Sequence, residues 1–549
     1  MLVARLRAIL PAPHGCEKVE LLETHISFVL LAGAYAYKIK KSVNLGFLDF
    51  TTLSARRFYC EEELRLNRRY APQLYLAVIS ITGSAEDPAI GGIGSPIEYA
   101  VQMRAFAQPN LASRVLMRGE LQPHHIDVLA ARIAAFHDGI HRVDTSTALG
   151  TPSCIRQAAV ENIDEIERLL DCADAKRELG RLRQWTARDW AALSDAFAQR
   201  RTEGFVRECH GDLHLENIAL VDGEITPFDG IEFSDTLRWI DVMNEIAFLI
   251  MDLQYRCRPD LARRFLNAYL EHTGDYAGLV VLRFYLVYRG MVRAKIACVR
   301  AAQGGVDESV RSDLRTEYER HLSLAQSHLE PQRPAIAIMH GMSGCGKTTL
   351  SQGMLEAMEA VRIRSDIERK RLIGMQANSR SDSEIGGGLY REEMTERTYL
   401  HLLAGVRAII GAGYIAIVDA AFLKRWQRQM FREYAKQHGV PFAIVAFSAR
   451  EAELRARIAQ RQSKGKDASE ADLAVLEYQL ATAEALTSDE LPDAIRYDTT
   501  EMLAIAGSHE TWRPLLDRLG VKDRNFNRTT PSIRGRCTPD NGAFSSSKP

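Results

Sequence analysis

Residues 335–350 read AIAIMHGMSGCGKTTL: an apolar β run, a glycine-rich loop, then the start of a helix. No other stretch limits the folding of this chain so strongly. Gly341 and Gly346 permit a tight turn whose backbone N–H groups point inward, where an anion can be cradled at a helix N-terminus. Three further apolar runs, YIAIVD, FAIVAF and AIRYD, alternate with helical segments beyond it. That alternation predicts a parallel sheet with crossover helices, an α/β architecture over residues 335–521.

The loop fits G-x-x-x-x-G-K-[ST], the spacing in which a lysine reaches the transferred phosphoryl group and a hydroxyl meets Mg²⁺. Gly341, Ser343, Gly344, Cys345, Gly346, Lys347, Thr348 and Thr349 are therefore candidate ATP-binding positions, with Thr348 also a metal candidate. Asp366, in VRIRSDIERKRL, follows a second β run, and Arg369 comes three residues later. Asp419 ends the run YIAIVD, where a carboxylate near the metal belongs. Arg457 and Arg461 lie on a helix leading into a polar turn, from which arginines can close over phosphates. Plainer roles stay open: a helix cap for Asp366, a turn residue for Asp419, a solvated face for the two arginines. On these motifs, residues 335–520 resemble small P-loop kinases related to polynucleotide, gluconate and zeta-toxin-type kinases. The resemblance implies that Asp366 and Arg369 activate and hold the accepting hydroxyl.

A second constellation lies upstream. HGDLHLENI, His210 to Ile218, carries the spacing His-x-Asp-x-x-x-x-Asn of the protein-kinase catalytic loop. There the aspartate orients the substrate hydroxyl and the asparagine holds a metal ion. Asp229 in ITPFDGIEF stands twelve residues after Asn217 and suits the second metal carboxylate. Asp212 is thus the candidate catalytic residue, and Asn217 and Asp229 the candidate Mg²⁺ ligands. Such a site also needs a strand lysine and a helix glutamate. AYAYKIKK offers Lys38 and Lys40 on one face and Lys41 on the other; CEEELRLN offers Glu61, Glu62 and Glu63. Lys38 with Glu63 is the preferred pair, and an exposed strand edge with solvated lysines the alternative.

Residues 20–325 resemble the aminoglycoside phosphotransferase branch of the protein-kinase-like fold, most sharply over 210–232. This implies an α+β N-terminal half in which His210 braces the loop. The pattern departs in lacking G-x-G-x-x-G before the lysine strand; Gly33 alone serves the hairpin. His214 and Glu216 receive no role, and His137 reads as a helix-end residue. The order of the halves resembles a bacterial family of fused aminoglycoside phosphotransferase-like and ATP-binding domains.

At 549 residues the chain exceeds one hydrophobic core. EPQRP breaks a helical pattern at 330–334, so residues 1–329 and 335–521 form the expected domains and 522–549 a disordered tail. The formal net charge of −1 gives no overall field to attract nucleic acid or anionic membrane. Nine scattered cysteines without a C-x-x-C pair suit reduced thiols, and FVLLAGAYAY is about half a membrane span. A cytoplasmic enzyme using ATP and Mg²⁺ to phosphorylate small hydroxyl compounds is the expectation. Two alternatives stand beside it. In one, a domain binds ATP without turnover and gates the other. In the other, the P-loop half is a 5′-hydroxyl polynucleotide kinase, which the charge disfavours. Glu232 and Asp235 are compatible with a polycationic aminoglycoside, although two acids on a turn are more often solvated. The oligomeric state is not readable.

Overall fold

The computed structural model describes residues 1–46, 48–170, 173–330, 333–375, 392–464, 472–499 and 509–521; the side chains of 392, 461–464 and 509 lie outside the description. The chain forms two compact units, Met1–Asp164 with Thr186–Asp252, and Glu165–Trp185 with the described part of Leu253–Pro549.

The first unit is built on six antiparallel strands: β1 (Glu20–Glu23), β2 (Ser27–Ala32), β3 (Tyr35–Lys40), β4 (Tyr75–Gly83), β5 (Pro88–Ile90) and β6 (Glu98–Arg104). Their spatial order is β1-β2-β3-β6-β4-β5. Gly33 turns the β2–β3 hairpin at φ +57°, and a Cβ there would come within 3.0 Å of the His14 carbonyl oxygen. The helix Leu53–Asn67 starts where Thr52 Oγ1 accepts the Ala55 N–H at 3.1 Å, an ordinary N-cap. It buries Arg56, Cys60, Glu63, Leu66 and Asn67, a stripe at helical spacing, against β4 and β6. Two short antiparallel pairs follow: β7 (Val206–Glu208) with β10 (Trp239–Asp241), and β8 (Ile218–Val221) with β9 (Glu224–Pro227). The helix Val242–Tyr255 buries Val242, Ile246, Leu249 and Leu253, an apolar stripe at helical spacing.

In the second unit five parallel strands lie in the order β12-β13-β11-β14-β15. They are β11 (Ala335–His340), β12 (Ala360–Arg364), β13 (Ile415–Asp419), β14 (Phe442–Ser448) and β15 (Ala494–Asp498). The alternation of β runs and helices thus produces the expected α/β layers. Ala337, Met339, Met354, Ile417, Val445 and Trp512 belong to the core that covers one face of this sheet.

β12 is an edge strand, and the helix Pro259–Thr273 covers it. Asn267 does what a sixth strand would do. Its Nδ2 donates to the Ala360 carbonyl at 3.0 Å, and its Oδ1 accepts the Arg362 N–H at 2.7 Å. Satisfying an edge in this way removes a pairing template. Asn267→Leu leaves both backbone groups buried without partners, so urea unfolding should show a loss of about 1–3 kcal/mol per group. Among the described residues, no helix is long and apolar enough to cross a membrane.

Candidate active sites

In the first unit, successive residues of a strand point to opposite faces, so Lys38 and Lys40 share one. Both are buried, at 7% and 2% exposed. Glu63 receives one lysine on each oxygen: Lys38 Nζ lies 2.8 Å from Oε1 and Lys40 Nζ 2.8 Å from Oε2. Lys38 Nζ also donates to Asp229 Oδ1 at 2.5 Å, whereas Lys40 Nζ turns to Glu232 Oε1. Burial opposes the charge on Lys38, Lys40, Glu63 and Glu232. The opposite charges nevertheless hold both ammonium groups above the ordinary lysine range and Glu63 below the usual carboxylate range. Burial prevails only at Glu232, whose carboxyl is pushed up. Glu61 is spent on Arg57, Glu62 on Arg65, and Lys41 on Glu23. Glu232, which the sequence offers as an acidic wall for a polycation, is instead buried beside Lys40.

The loop around Asp212 is held from behind by two carboxylates of the helix Val242–Tyr255. Glu245 accepts the His210 and Gly211 N–H groups at 2.7 and 3.0 Å, and Asp252 accepts the Leu215 N–H at 2.9 Å. His210 Nδ1 accepts the Asp212 N–H at 3.3 Å, which leaves Nε2–H to donate to the Phe228 carbonyl at 2.9 Å. The ring stacks on Tyr70. This fixes the neutral tautomer in place and ties the Asp212 loop to the Asp229 loop. Asp212 Oδ2 accepts Asn217 Nδ2–H at 2.8 Å and lies 3.3 Å from His214 Nε2. His214 Nδ1 accepts the Glu216 N–H, so Nε2 carries the proton in a neutral ring.

Asp229 adopts φ +61°, a left-handed conformation that non-glycine residues seldom hold unless their surroundings impose it. Those surroundings are explicit. Its N–H donates to Tyr75 Oη at 3.0 Å, and the next N–H, of Gly230, donates to Asn67 Oδ1 at 2.8 Å and Tyr70 Oη at 3.0 Å. The structure therefore gathers Lys38, Glu63 and Asp229 in one cluster. Asp212 and Asn217 sit on the adjoining loop, joined where Phe228 N–H meets the Asn217 carbonyl at 2.9 Å.

Burial pushes His210 down to about 4, so the folded state refuses a proton that the unfolded chain accepts below about pH 6.5. Stability conferred by the neutral ring is therefore complete above pH 6.5 and lost as pH falls toward 4, by about 3 kcal/mol in total. His210→Gln should flatten that part of the stability–pH profile, read by denaturant unfolding between pH 4 and 7.

In the second unit, Gly341 lies at φ +156°, and a Cβ there would come within 2.8 Å of both Cys345 Sγ and the Phe447 carbonyl oxygen. Gly346 at φ +86° is the N-cap of the helix Lys347–Ala357. Lys347 Nζ donates to the Gly341 and Met342 carbonyls at 2.7 and 2.8 Å, and the Ser343 N–H donates to Gln479 Oε1 at 2.7 Å. Cys345 packs its thiol into the core, leaving its backbone to the loop, and Thr349 is exposed. Arg362 donates to the Thr348 carbonyl at 3.2 Å and to Ser351 Oγ at 2.9 Å.

β12, β13 and β11 are neighbours, so Asp366, Asp419 and the glycine loop follow the carboxyl ends of three adjacent strands. Asp366 is one residue inside the helix Ser365–Arg371, whose N-cap is Arg364; it is not the cap. Its Oδ1 lies 3.9 Å from Arg369 Nη1. Asp419 is 5% exposed, and its Oδ2 is buried without a hydrogen bond, 3.8 Å from Arg364 Nε. An orphaned carboxylate oxygen beside a phosphate loop fits a hard divalent cation. Arg457 is engaged elsewhere, donating to Thr499 Oγ1 and its carbonyl, both at 3.0 Å. The side chain of Arg461 lies outside the described residues.

Residues that the sequence reading left aside are the supports: Glu245 and Asp252, and Asn67, Tyr70 and Tyr75. The first two had a legible signal, carboxylates seven residues apart on an otherwise apolar helix, hence on one face.

Residues 57–282 match the phosphotransferase enzyme family, and residues 336–486 match an AAA domain family. The uncharacterized proteins Rv2004c of Mycobacterium tuberculosis and Mb2027c of Mycobacterium bovis are each 31% identical over 453 residues, 82% of this chain and 88% of theirs. Among solved structures, the chain is similar to the amicoumacin kinase hAmiN (14% identity, 56% of this chain and 88% of that one, TM-score 0.36). It is also similar to a gluconokinase from Sinorhizobium meliloti 1021 (20% identity, 34% and 97%, TM-score 0.24). The chain belongs to the family of these mycobacterial proteins and is a phosphotransferase with two kinase-type domains.

Proposed function

We propose that both domains transfer the γ-phosphoryl group of ATP to hydroxyl groups of small molecules, with the functional division at residues 330–334. The observation that carries this reading is the meeting of buried Lys38 and Glu63 with the half-exposed Asp229 in one cluster. In the N-terminal half, Lys38 contacts the nucleotide phosphates and Glu63 holds the lysine in place. Asn217 and Asp229 hold Mg²⁺, and Asp212 accepts the proton of the attacking alcohol. In the P-loop half, the loop N–H groups and Lys347 cradle the phosphates, Thr348 and Asp419 hold Mg²⁺, and Asp366 with Arg369 receives the acceptor. A divalent cation held by these residues would supply neutralisation of the charge that develops on the phosphoryl group. Arg461 would serve as a lid residue.

A panel of hydroxyl metabolites and 5′-hydroxyl oligonucleotides, incubated with labelled ATP, tests the proposal. Asp212→Asn and Lys347→Ala should each abolish a different transfer. A second reading is favoured by one observation. Gln479 occupies the Ser343 N–H, and Lys347 is folded onto the loop's own carbonyls, as in a domain whose nucleotide binding is gated. If only Asp212→Asn removes activity, the P-loop half is a binding module. Phosphorylation of the oligonucleotides alone would make it a polynucleotide kinase.

A further inference from the structure

Within the second unit, a single carboxylate that precedes the linker, 13% exposed at its side chain, reaches two strand residues beside the metal corner. Glu271, on the helix Pro259–Thr273, accepts Arg362 Nε and Nη2 on Oε1 at 2.9 and 2.6 Å and lies 3.4 Å from Arg364 Nη1 through Oε2. The two arginines stand two residues apart on one face of β12 and carry the contact in two directions. Arg362 continues to the Thr348 carbonyl and Ser351 Oγ on the helix that begins at Lys347. Arg364 stands opposite Asp419 in the β12–β13 register, with Nε 3.8 Å from its Oδ2.

We infer that Glu271 is a positioning residue for the P-loop half: it restrains Arg364, so that Asp419 stays available to a divalent cation, and it anchors Arg362 against the Thr348 turn. This rests on the proposed assignment of Thr348 and Asp419 as metal ligands. The electrostatic argument is direct. A guanidinium that closes on Asp419 forms a charge-assisted pair and competes with the cation for the same oxygen. A carboxylate on the far side of that guanidinium draws it away and offsets its charge. Glu271 is suited to this because the two arginines hold its carboxyl below the usual carboxylate range, more than reversing the opposite effect of its partial burial. Groups behind metal ligands commonly set affinity in this manner.

The inference also explains why the carboxylate comes from residue 271. Among the described residues β12 is the sheet edge, and no described strand lies on its outer flank to supply a partner for Arg362 and Arg364. The helix that supplies Asn267 to that edge supplies Glu271 one turn later. The segment 259–273 thus serves the P-loop site although it precedes the linker.

The test uses the full-length chain with a non-hydrolysable ATP analogue, titrated with Mg²⁺ by calorimetry. The signal of the P-loop site is defined as the part lost in Lys347→Ala. Glu271→Gln should raise the apparent Mg²⁺ dissociation constant of that part about tenfold, the lower end of what such supports are worth. Glu271→Asp should raise it less. In Glu271→Gln/Arg364→Gln the constant should return to within about threefold of the parent, because the competing guanidinium is gone; a merely structural role for Glu271 predicts no such recovery. Arg364→Gln alone should tighten Mg²⁺ binding, a result that does not require any Glu271 variant to fold. The inference is overturned if folded Glu271→Gln binds Mg²⁺ like the parent, if the double variant fails to recover, or if Arg364→Gln weakens the cation. Absence of any Lys347-dependent signal in the parent would instead overturn the underlying assignment of the P-loop site.

Discussion

Asp212→Asn is expected to lower transfer by the N-terminal half by about 10²–10⁴, the usual cost of losing a positioned base. Binding of Mg·ATP should remain nearly unchanged. The separation follows from the geometry. Asp212 is joined to Asn217 and His214, while the contact to the buried lysine cluster belongs to Asp229. An amide at 212 keeps the shape of the side chain and still has an oxygen to accept from Asn217, but it cannot take the alcohol's proton. Asp229→Asn should show the reverse pattern. It removes a charge that Lys38 and the cation both use, so nucleotide affinity falls. Calorimetry for binding, with single-turnover kinetics for transfer, distinguishes the two. If Asp212→Asn loses ATP and Asp229→Asn retains it, the assignment of the two aspartates is reversed.

A loss of similar size, about 10²–10⁴, is expected for Asp366→Asn in transfer by the P-loop half. Asp366 lies past the carboxyl end of β12, the position at which ligands gather in open parallel sheets. Its place inside the helix rather than at the cap removes the plainest structural reason for an acid there. Arg369 Nη1 stands 3.9 Å from its Oδ1, so the guanidinium and the carboxylate share one side of the helix. ATP binding should survive this substitution and fail in Lys347→Ala, whose ammonium group lies in the loop itself. Unchanged transfer in Asp366→Asn would reduce the residue to a first-turn acid favoured by the helix dipole.

Much of this was readable in the chain, for identifiable reasons. The glycine loop is encoded locally: a β run, backbone conformations open to glycine and a helix start follow one another without a gap, so the parallel sheet could be argued from residues 335–498. The Lys38–Glu63 contact was accessible because a strand's two-residue period and a helix's buried stripe each restrict the choices. That Lys40 shares the same carboxylate was not accessible, since it depends on Glu232 arriving from 192 residues away. The strand Tyr75–Gly83 escaped notice, and with it the order β3-β6-β4, because pairing between distant strands leaves no periodic trace. Asn267 and Glu271 looked like ordinary helix residues. Their partners lie beyond the linker, and no local pattern announces an edge that needs covering.

The sharing of Glu63 by two lysines has a consequence for motion. A helix that carries one such glutamate, paired with one lysine, can swing outward and break a single contact. Here, an outward swing of Leu53–Asn67 would break two contacts at once, leaving Lys38 to Asp229 alone and Lys40 to Glu232 alone. Each lysine keeps one carboxylate, so the cost is smaller than that of an uncompensated buried charge, yet both contacts have to break together, which disfavours the swung-out form. The double contact thus holds the lysine site of the N-terminal half together, and on the proposed function control over it would come from access of acceptor or nucleotide rather than from disassembly of that site.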